Sequence, residues 1–281
     1  MTDEWEIDQL DLDAYQARIA YQGRLDPTGP ILAALHRAHV AAIPSENLEL
    51  VLGRRIGVDL HSVQTKLLNH HRGGYCYEHG VLFAAVLERL GYTVDRLLAR
   101  IGYDEQRPRP RTHMTLRVST DTEQWLADVG FGAGLLEPLL WDETGQAQDQ
   151  GRWTYQLICQ APGSWQVRQA SDKEWTALYN FTREPQRASD VEMANHFTST
   201  HPSSPFLGQA VVMLEADDAH HGLRDRQLTT TRPDGTTTEQ VLNDSEAAAA
   251  LRDDFGLPLG HDEIANLTTA LPPIDADPRH P

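Results

Sequence analysis

The sequence has little cysteine: only Cys76 and Cys159 occur among its 281 residues. So sparse a set excludes the disulfide framework of a small secreted domain, and a single Cys76–Cys159 disulfide is not suggested in a reducing compartment. Cys159 ends the run Tyr155-Gln156-Leu157-Ile158-Cys159, which predicts a buried, structural thiol on a strand. Thiol chemistry, if the protein performs any, is therefore expected at Cys76.

The sequence also lacks a long apolar run. None approaches the ~20 residues that a membrane span requires, so we expect no membrane partner. The N-terminus, Met-Thr-Asp-Glu-Trp-Glu, is acidic and has no signal-peptide core. We therefore expect a cytoplasmic protein.

Positive charge is scarce, because 24 Lys and Arg face 41 Asp and Glu, a net charge of −17. This balance argues against nucleic acid as a partner, and any anionic ligand must be held by local groups. The basic segment 106–111 is either a solvated connector or such a local group near a phosphate. The length is sufficient for two or three compact lobes with a substantial core.

What the sequence does contain is a pair of glycines directly before Cys76, in the run His71-Arg72-Gly73-Gly74-Tyr75-Cys76. Apolar residues follow at helical spacing until Gly91, which predicts that a tight turn places Cys76 in the first turn of a helix. We expect the glycines to adopt unusual backbone angles and to admit a substrate to the main chain. A helix N-terminus favours a thiolate, whereas the alternative is an inert, buried thiol.

The pattern along the chain predicts the α+β class. Residues 11–90 are mostly helical in pattern, with one start at Asp26-Pro27 and another capped by Ser62. From residue 92 the chain is β-rich, as in a sandwich or barrel, and residues 190–210 are expected to be irregular. A hairpin at Pro233-Asp234-Gly235 and a helix capped by Asp244 or Ser245 follow, before a loose tail from residue 272.

The alternating segments around residues 112–130 predict a hairpin that joins a base to an acid. If the loop is Thr120-Asp121, or residues 119–122, His113 lies directly opposite Asp128 on the same face. Asp128 would then orient His113, and His113 would take the proton of the Cys76 thiol. The alternative is an ordinary cross-strand pair, and the prediction is sensitive to a shift by one residue.

Metal chemistry is not indicated. His70, His71 and His79 surround Cys76, but no second cysteine lies nearby and no four-ligand spacing appears, so we assign metal ligands to none of them. The glycine-rich run 128–134 lacks the spacing and lysine of a phosphate loop. It is interpreted as a strand exit where the backbone approaches a ligand.

Five motifs in order together resemble those of the arylamine N-acetyltransferases, across about residues 11–256. They are Ile43-Pro44-Ser45-Glu46-Asn47-Leu48, Arg72-Gly73-Gly74-Tyr75-Cys76-Tyr77-Glu78, Thr112-His113, Asp128-Val129-Gly130-Phe131-Gly132 and Ser199-Thr200-His201-Pro202. The resemblance implies three domains: a helical bundle over 1–91, a β-barrel over 92–205 and an α/β lid over 206–281. It further implies a cysteine-protease-like core in which Cys76, His113 and Asp128 are the catalytic residues.

The resemblance also implies an activity. The Cys76 thiolate would take an acetyl group from acetyl-CoA and pass it to an arylamine, arylhydrazine or N-hydroxyarylamine in a ping-pong reaction. Acetyl-CoA is then a co-substrate, no cofactor is permanently bound, and the donor could equally be propionyl-CoA. The oligomeric state stays open, with a homo-oligomer among the expectations.

The resemblance assigns further residues around this core. Phe131 is expected to line the acceptor pocket, and Gly132, Phe206 and Thr112 to lie at the substrate or coenzyme A. An active-site scaffold is expected from Arg72, Glu46 and Asn47.

The chain departs from the family pattern at three positions. Ser45 replaces the usual phenylalanine and should loosen one pocket wall, while Gly80 and Ala133 also differ. Three alternatives stay open: an amide synthase acting on polyketide chains, a transglutaminase-like or protease-like thiol enzyme, and a binding protein with an inert thiol.

Overall fold

The computed structural model describes residues 4–102, 109–171 and 174–272. Residues 106–108 of the basic segment 106–111 and residues 273–281 of the expected tail lie outside these ranges. Within them the chain forms a mixed α+β fold with a helical N-terminal part, a large sheet and a smaller C-terminal sheet. Among the described residues, no helix has the length and apolarity needed to cross a membrane.

The helices begin with a short 3-10 turn at Ile7–Gln9. They are α1 (Leu12–Arg18), α2 (Gly29–Ala42), α3 (Leu48–Val51), α4 (Leu60–Gln64, continued by a π turn at Thr65–Asn69), α5 (Cys76–Arg89), α6 (Ala188–Thr200), α7 (Asp244–Ala249, continued by a π turn at Ala250–Asp254) and α8 (His261–Ala270).

Two of the predicted caps were displaced. The side chain of Asp59, not Ser62, accepts the backbone N–H at the start of α4, and Ser62 is the residue that donates it, at 2.8 Å. Helix α7 is capped by Asn243, whose side chain accepts from two backbone N–H groups. In both cases the capping oxygen must precede the first helical residue, because the free N–H groups point back toward it.

The strands form two antiparallel sheets. They are β1 (Ser45–Glu46), β2 (Thr93–Ile101), β3 (His113–Ser119), β4 (Gln124–Ala127), β5 (Leu139–Leu140), β6 (Ala147–Gln150), β7 (Trp153–Ala161), β8 (Ser164–Ser171), β9 (Glu174–Thr182), β10 (Val211–Glu215), β11 (His220–Arg224), β12 (Gln227–Thr231) and β13 (Thr237–Val241).

The larger sheet has eight strands in the order β5-β4-β3-β2-β9-β8-β7-β6 and forms a nearly closed barrel. The smaller sheet has the order β1-β10-β11-β12-β13, so its first strand comes from the N-terminal region. The helical region and the barrel share one hydrophobic core, while the smaller sheet packs with α7 and α8 around a second core that also contains Leu48. The domain boundaries at residues 91 and 205 stay a prediction.

Helix α6 overturns the prediction of irregular structure for residues 190–200, whereas residues 201–210 form the turns and irregular structure that were expected. Its polar sequence hides the helix because the buried face includes Asn195 and Thr198, which are satisfied by tyrosine hydroxyls. Tyr75 donates to Asn195, and Tyr77 and Thr198 share a hydrogen bond of 3.0 Å. Both tyrosines flank Cys76, so α6 supports the start of α5.

The prediction that Cys159 is buried is also wrong. The thiol is exposed, and its Sγ lies 3.2 Å from the carbonyl oxygen of Ala161. Strand β7 continues past the core and has an irregularity between these two residues, so its last residues lie beyond the packed face. Both cysteines are free thiols.

Candidate active site

The turn before Cys76 is fixed by the segment at Pro44. Gly74 donates its N–H to the Pro44 carbonyl at 3.2 Å, and Glu46 donates to the Gly74 carbonyl at 2.7 Å. Cys76 is then the first residue of α5, as predicted, and is only 5% exposed. The thiol therefore lies at a helix N-terminus, where partial positive charge favours an anion.

The two glycines serve a different purpose from the one expected. Neither Gly73 nor Gly74 adopts a positive φ. A Cβ on Gly73 would overlap the Pro44 carbonyl oxygen, and one on Gly74 would lie 2.9 Å from the Glu78 carboxylate. The glycines thus allow the chain to pack against itself, rather than leaving space for a substrate at these two positions.

A buried carboxylate completes the helix start. Glu78 accepts from the Tyr75 N–H at 3.0 Å and from the Lys66 ammonium at 2.8 Å. Burial raises the pKa of Glu78 to about 7 although Lys66 opposes the shift. This arrangement ties the π turn after α4 to the residue just before Cys76.

His113 and Asp128 form a hydrogen-bonded pair. Nε2 of His113 lies 2.6 Å from Oδ2 of Asp128, and both residues are 2% exposed. Burial disfavours the imidazolium, but the carboxylate outweighs it and raises the pKa of His113 to about 10. Burial likewise opposes ionisation of Asp128, yet the charge of His113 holds the pKa of that carboxyl below its ordinary value.

The predicted register of this hairpin was wrong by two residues. Leu116 lies opposite Ala127, and the turn is Asp121-Thr122, closed by the Thr120 N–H to the Glu123 carbonyl at 2.9 Å. The Thr120 hydroxyl accepts from Glu123 N–H at 3.1 Å, which fixes the turn one residue later than expected. A shift of two keeps every side chain on its face, so the acid and the base still meet, diagonally.

The thiol and the imidazole are brought together. A hydrogen bond with Cys76 and its charge both contribute to the raised pKa of His113. Because Nε2 is occupied by Asp128, Nδ1 is the ring nitrogen available to sulfur. The Thr112 carbonyl oxygen lies 3.7 Å from the same sulfur, so Thr112 contacts the Cys76 thiol through its backbone.

The glycine-rich run after Asp128 packs against the backbone of Cys76. A Cβ on Gly130 would lie 2.7 Å from the Cα of Cys76, so only glycine permits this approach. Gly130 donates to Oδ1 of Asp128 at 3.2 Å. The close neighbour of Gly130 is the backbone of Cys76, and the expectation that this run approaches a ligand stays a prediction.

Aromatic rings surround the imidazole. The ring of Phe131 lies edge-on to His113 at 5.3 Å between centroids, and Tyr179 lies at 4.9 Å. Burial, followed by the charge of Asp128, raises the pKa of the Tyr179 hydroxyl well above its ordinary value, so that group is neutral. Phe131 is half-buried beside the imidazole of His113.

The remaining predicted residues lie around this centre. Gly132 has a φ of +88°, and a Cβ there would lie 3.2 Å from the side chain of Ser45. The ring of Phe206 packs edge-on against Tyr75, the residue before Cys76, at 5.9 Å between centroids. Ser45 and Phe206 come from distant parts of the sequence, and each lies beside a residue next to the site.

The predicted scaffold residues divide into two sets of contacts. Arg72 is buried and forms ion pairs with Glu49 at 3.3 Å and Glu263 at 3.2 Å, but only a longer one of 3.8 Å with Glu46. Asn47 instead donates to the carbonyls of Phe206 and Gln209, both at 2.9 Å, and so fastens the segment that leads into β10.

Several residues of the site were not predicted from the sequence. Gly130, His36, Tyr179 and Glu215 all support the glycine-rich run or the acid, and the last three come from distant segments. Glu215 accepts from the Gly134 N–H at 2.9 Å, and burial raises its pKa to about 8. The only available signal was the density of glycines, which indicates tight packing but not the partner.

The arrangement supports nucleophilic catalysis by a thiol. A sulfur at a helix start, a charged imidazole and an orienting carboxylate are the groups that covalent acyl transfer requires. Within the described part of the chain, no three histidine, cysteine or carboxylate side chains are grouped as metal ligands.

Comparison with known proteins identifies the class. Residues 30–264 match the family model described as N-acetyltransferase. An arylamine N-acetyltransferase from Mycolicibacterium smegmatis is 36% identical over 259 residues, which are 89% of this chain and 93% of that protein. The protein is therefore an acyltransferase of the N-acetyltransferase class.

Solved structures narrow the assignment. The arylamine N-acetyltransferase of Mycobacterium abscessus superposes with a TM-score of 0.89 at 37% identity, covering 95% of this chain and 96% of that one. The Mycobacterium marinum arylamine N-acetyltransferase in complex with CoA gives 0.86 at 33% identity, covering 93% and 98%. The chain belongs to the arylamine N-acetyltransferase family.

Proposed function

We propose that the protein transfers an acetyl group from acetyl-CoA to an arylamine, arylhydrazine or N-hydroxyarylamine through an acetylated Cys76. The observation that carries the proposal is the His113–Asp128 contact of 2.6 Å beside a thiol at the start of α5. The complex of the Mycobacterium marinum relative with CoA supports coenzyme A as the carrier of the acyl group.

The first half-reaction uses the charged imidazole. The Cys76 thiolate attacks the thioester carbonyl, and the bond from carbon to the sulfur of coenzyme A breaks. His113 gives its proton to the departing thiolate, so free coenzyme A leaves with an S–H and the imidazole becomes neutral. Asp128 holds the ring in position through its hydrogen bond with Nε2, while Nδ1 donates the proton.

The second half-reaction reverses these roles. The amine nitrogen attacks the acetyl-cysteine carbonyl, and its proton passes to the neutral His113. The bond from carbon to Cys76 sulfur then breaks, which restores the thiolate and the imidazolium and releases the amide. Phe131, beside the imidazole, is proposed to contact the aromatic acceptor, with Gly132, Phe206 and Thr112 along the donor or acceptor path.

Intact-protein mass spectrometry tests the covalent step. Incubation with acetyl-CoA alone should add one acetyl group to the wild type, and a later addition of an arylamine should remove it and yield the amide. The Cys76→Ala variant should gain no acetyl group and lose turnover, whereas Cys159→Ala, at the exposed second thiol, should behave as wild type. Substantial turnover by Cys76→Ala would refute the proposal.

A further inference from the structure

His36 on α2 is fully buried and forms hydrogen bonds with both ends of the segment 128–136. This segment contains the glycine-rich run and is here called the glycine loop. Nε2 of His36 accepts the backbone N–H of Asp128 at 3.1 Å. Its Nδ1 lies 3.0 Å from the carbonyl oxygen of Leu136. One imidazole therefore bridges the first and last residues of the loop.

These partners fix the state of the ring. An amide N–H can only donate and a carbonyl oxygen can only accept, so Nδ1 of His36 carries the hydrogen and Nε2 is bare. The neutral ring is required, because a proton on Nε2 would face the N–H of Asp128. Burial lowers the pKa of His36 to about 4 despite opposing effects of Leu136 and Asp128, so the ring stays neutral in the ordinary pH range.

The glycine loop depends on such external contacts. It contains three glycines at 130, 132 and 134, which contribute no side chains of their own to packing. The barrel and the smaller sheet restrain its second half: Tyr155 donates to the Gly134 carbonyl at 2.6 Å, Glu215 accepts from Gly134, and Gln150 accepts from the Leu136 N–H at 2.8 Å. At the first residue of the loop, the backbone N–H of Asp128 donates a hydrogen bond to Nε2 of His36.

We propose that His36 is a positioning residue for the acid of the site: by bridging Asp128 and Leu136 it closes the glycine loop and aims the Asp128 carboxylate at His113. The inference rests on the proposed function, in which Asp128 orients the imidazole. His36 touches neither the thiol nor His113 in the contacts above, so its effect passes through the backbone of Asp128.

Matched substitutions separate the two bonds. The terminal oxygen of His36→Gln reaches the position of Nε2 and can still accept from Asp128, whereas His36→Asn reaches only the position of Nδ1 and keeps the Leu136 bond. His39→Gln is the control. His39 is equally buried on α2, but its hydrogen bonds are to Tyr15 and His79 and not to the glycine loop.

The readout is the pH profile of iodoacetamide alkylation of Cys76 in a Cys159→Ala background, with thermal unfolding measured alongside. His36→Asn should slow alkylation at about pH 6 by about tenfold, since a misaimed Asp128 no longer supports the charged imidazole. His36→Gln should stay within about threefold of the parent, and His39→Gln should lower Tm while leaving the profile unchanged.

An unchanged profile in His36→Asn, or equal changes in His36→Asn and His39→Gln, would overturn the assignment. If His36→Asn fails to fold, nitrogen NMR of the wild type with labelled histidine decides: a hydrogen on Nδ1 of His36 supports the bridge, and one on Nε2 refutes it. Alkylation needs no acetyl-CoA, so failure of the acetyl-transfer proposal would appear separately, in the Cys76→Ala experiment.

Discussion

The contact between Gly130 and Cys76 yields the sharpest prediction. In Gly130→Ala the new Cβ would lie 2.7 Å from the Cα of Cys76 and 3.1 Å from its carbonyl oxygen. An ordinary contact begins at 3.4 Å, so the two segments must separate by 3.4 − 2.7, about 0.7 Å. Both neighbours are backbone atoms, and neither can rotate away.

That displacement should affect activity more than stability. Overpacking of this kind costs about 1–3 kcal/mol, which for a chain of this size lowers Tm by several degrees. The same shift moves Asp128 and Phe131 relative to the thiol, and a misplacement near 1 Å can cost about 100-fold in rate. We therefore expect kcat/KM for acetyl transfer to fall at least about tenfold.

The assay compares kcat/KM, with acetyl-CoA and one arylhydrazine, in Gly130→Ala and Gly222→Ala. Gly222 lies on β11, and a Cβ there would meet only the Cε of Met213, at 3.9 Å. The control should keep wild-type kinetics. If Gly130→Ala retained full turnover and the Tm of the control, the steric argument for this site would be wrong.

Two further predictions concern the buried carboxyls. Asp128→Asn should lower the pKa of His113 from about 10, since the negative charge that outweighs burial is removed and only the effects of Cys76 still oppose it, and NMR titration of the ring measures the change. The stabilisation from this raised pKa is present below about pH 6.5 and lost through about pH 10, so the Tm advantage over Asp128→Asn should shrink across that interval; a constant difference would contradict it. The native state of Glu215 holds its proton to about pH 8, so its ionisation in the unfolded chain erodes stability as pH rises from about 4.5. Glu215→Gln should therefore unfold at a higher temperature than wild type near pH 8.5 and lose that advantage near pH 5, whereas equal differences at both would contradict the burial argument.

Elements with regular hydrophobic spacing were predicted well from the sequence. Helices α2 and α5 and the hairpin β12–β13 lie close to where their patterns placed them. Helix α6 was missed because its buried positions include Asn195 and Thr198, whose partners are tyrosines about 120 residues away. A pattern based on hydrophobicity alone cannot detect a buried face that is polar and satisfied by distant hydroxyls.

The hairpin that brings His113 to Asp128 shows what alternation can and cannot fix. Alternation specifies the face on which each side chain lies, and an even shift preserves it. The exact pairing depended on the Thr120 hydroxyl in the turn, so the predicted opposition was wrong by two residues although the two side chains meet.

By itself, the sequence determined the regularly spaced elements such as α2, α5 and the hairpin β12–β13, the helix start at Cys76 and the shared face of His113 and Asp128, because these depend on neighbours within a few residues or one hairpin. Only the tertiary structure decided that Gly73 and Gly130 pack against the backbone of other segments and Gly74 against the side chain of Glu78, and that His36 and Glu215 hold the glycine loop from 92 and 81 residues away. Such contacts depend on how distant segments of the chain pack together. The spacing of residues along the sequence does not show which of those segments meet.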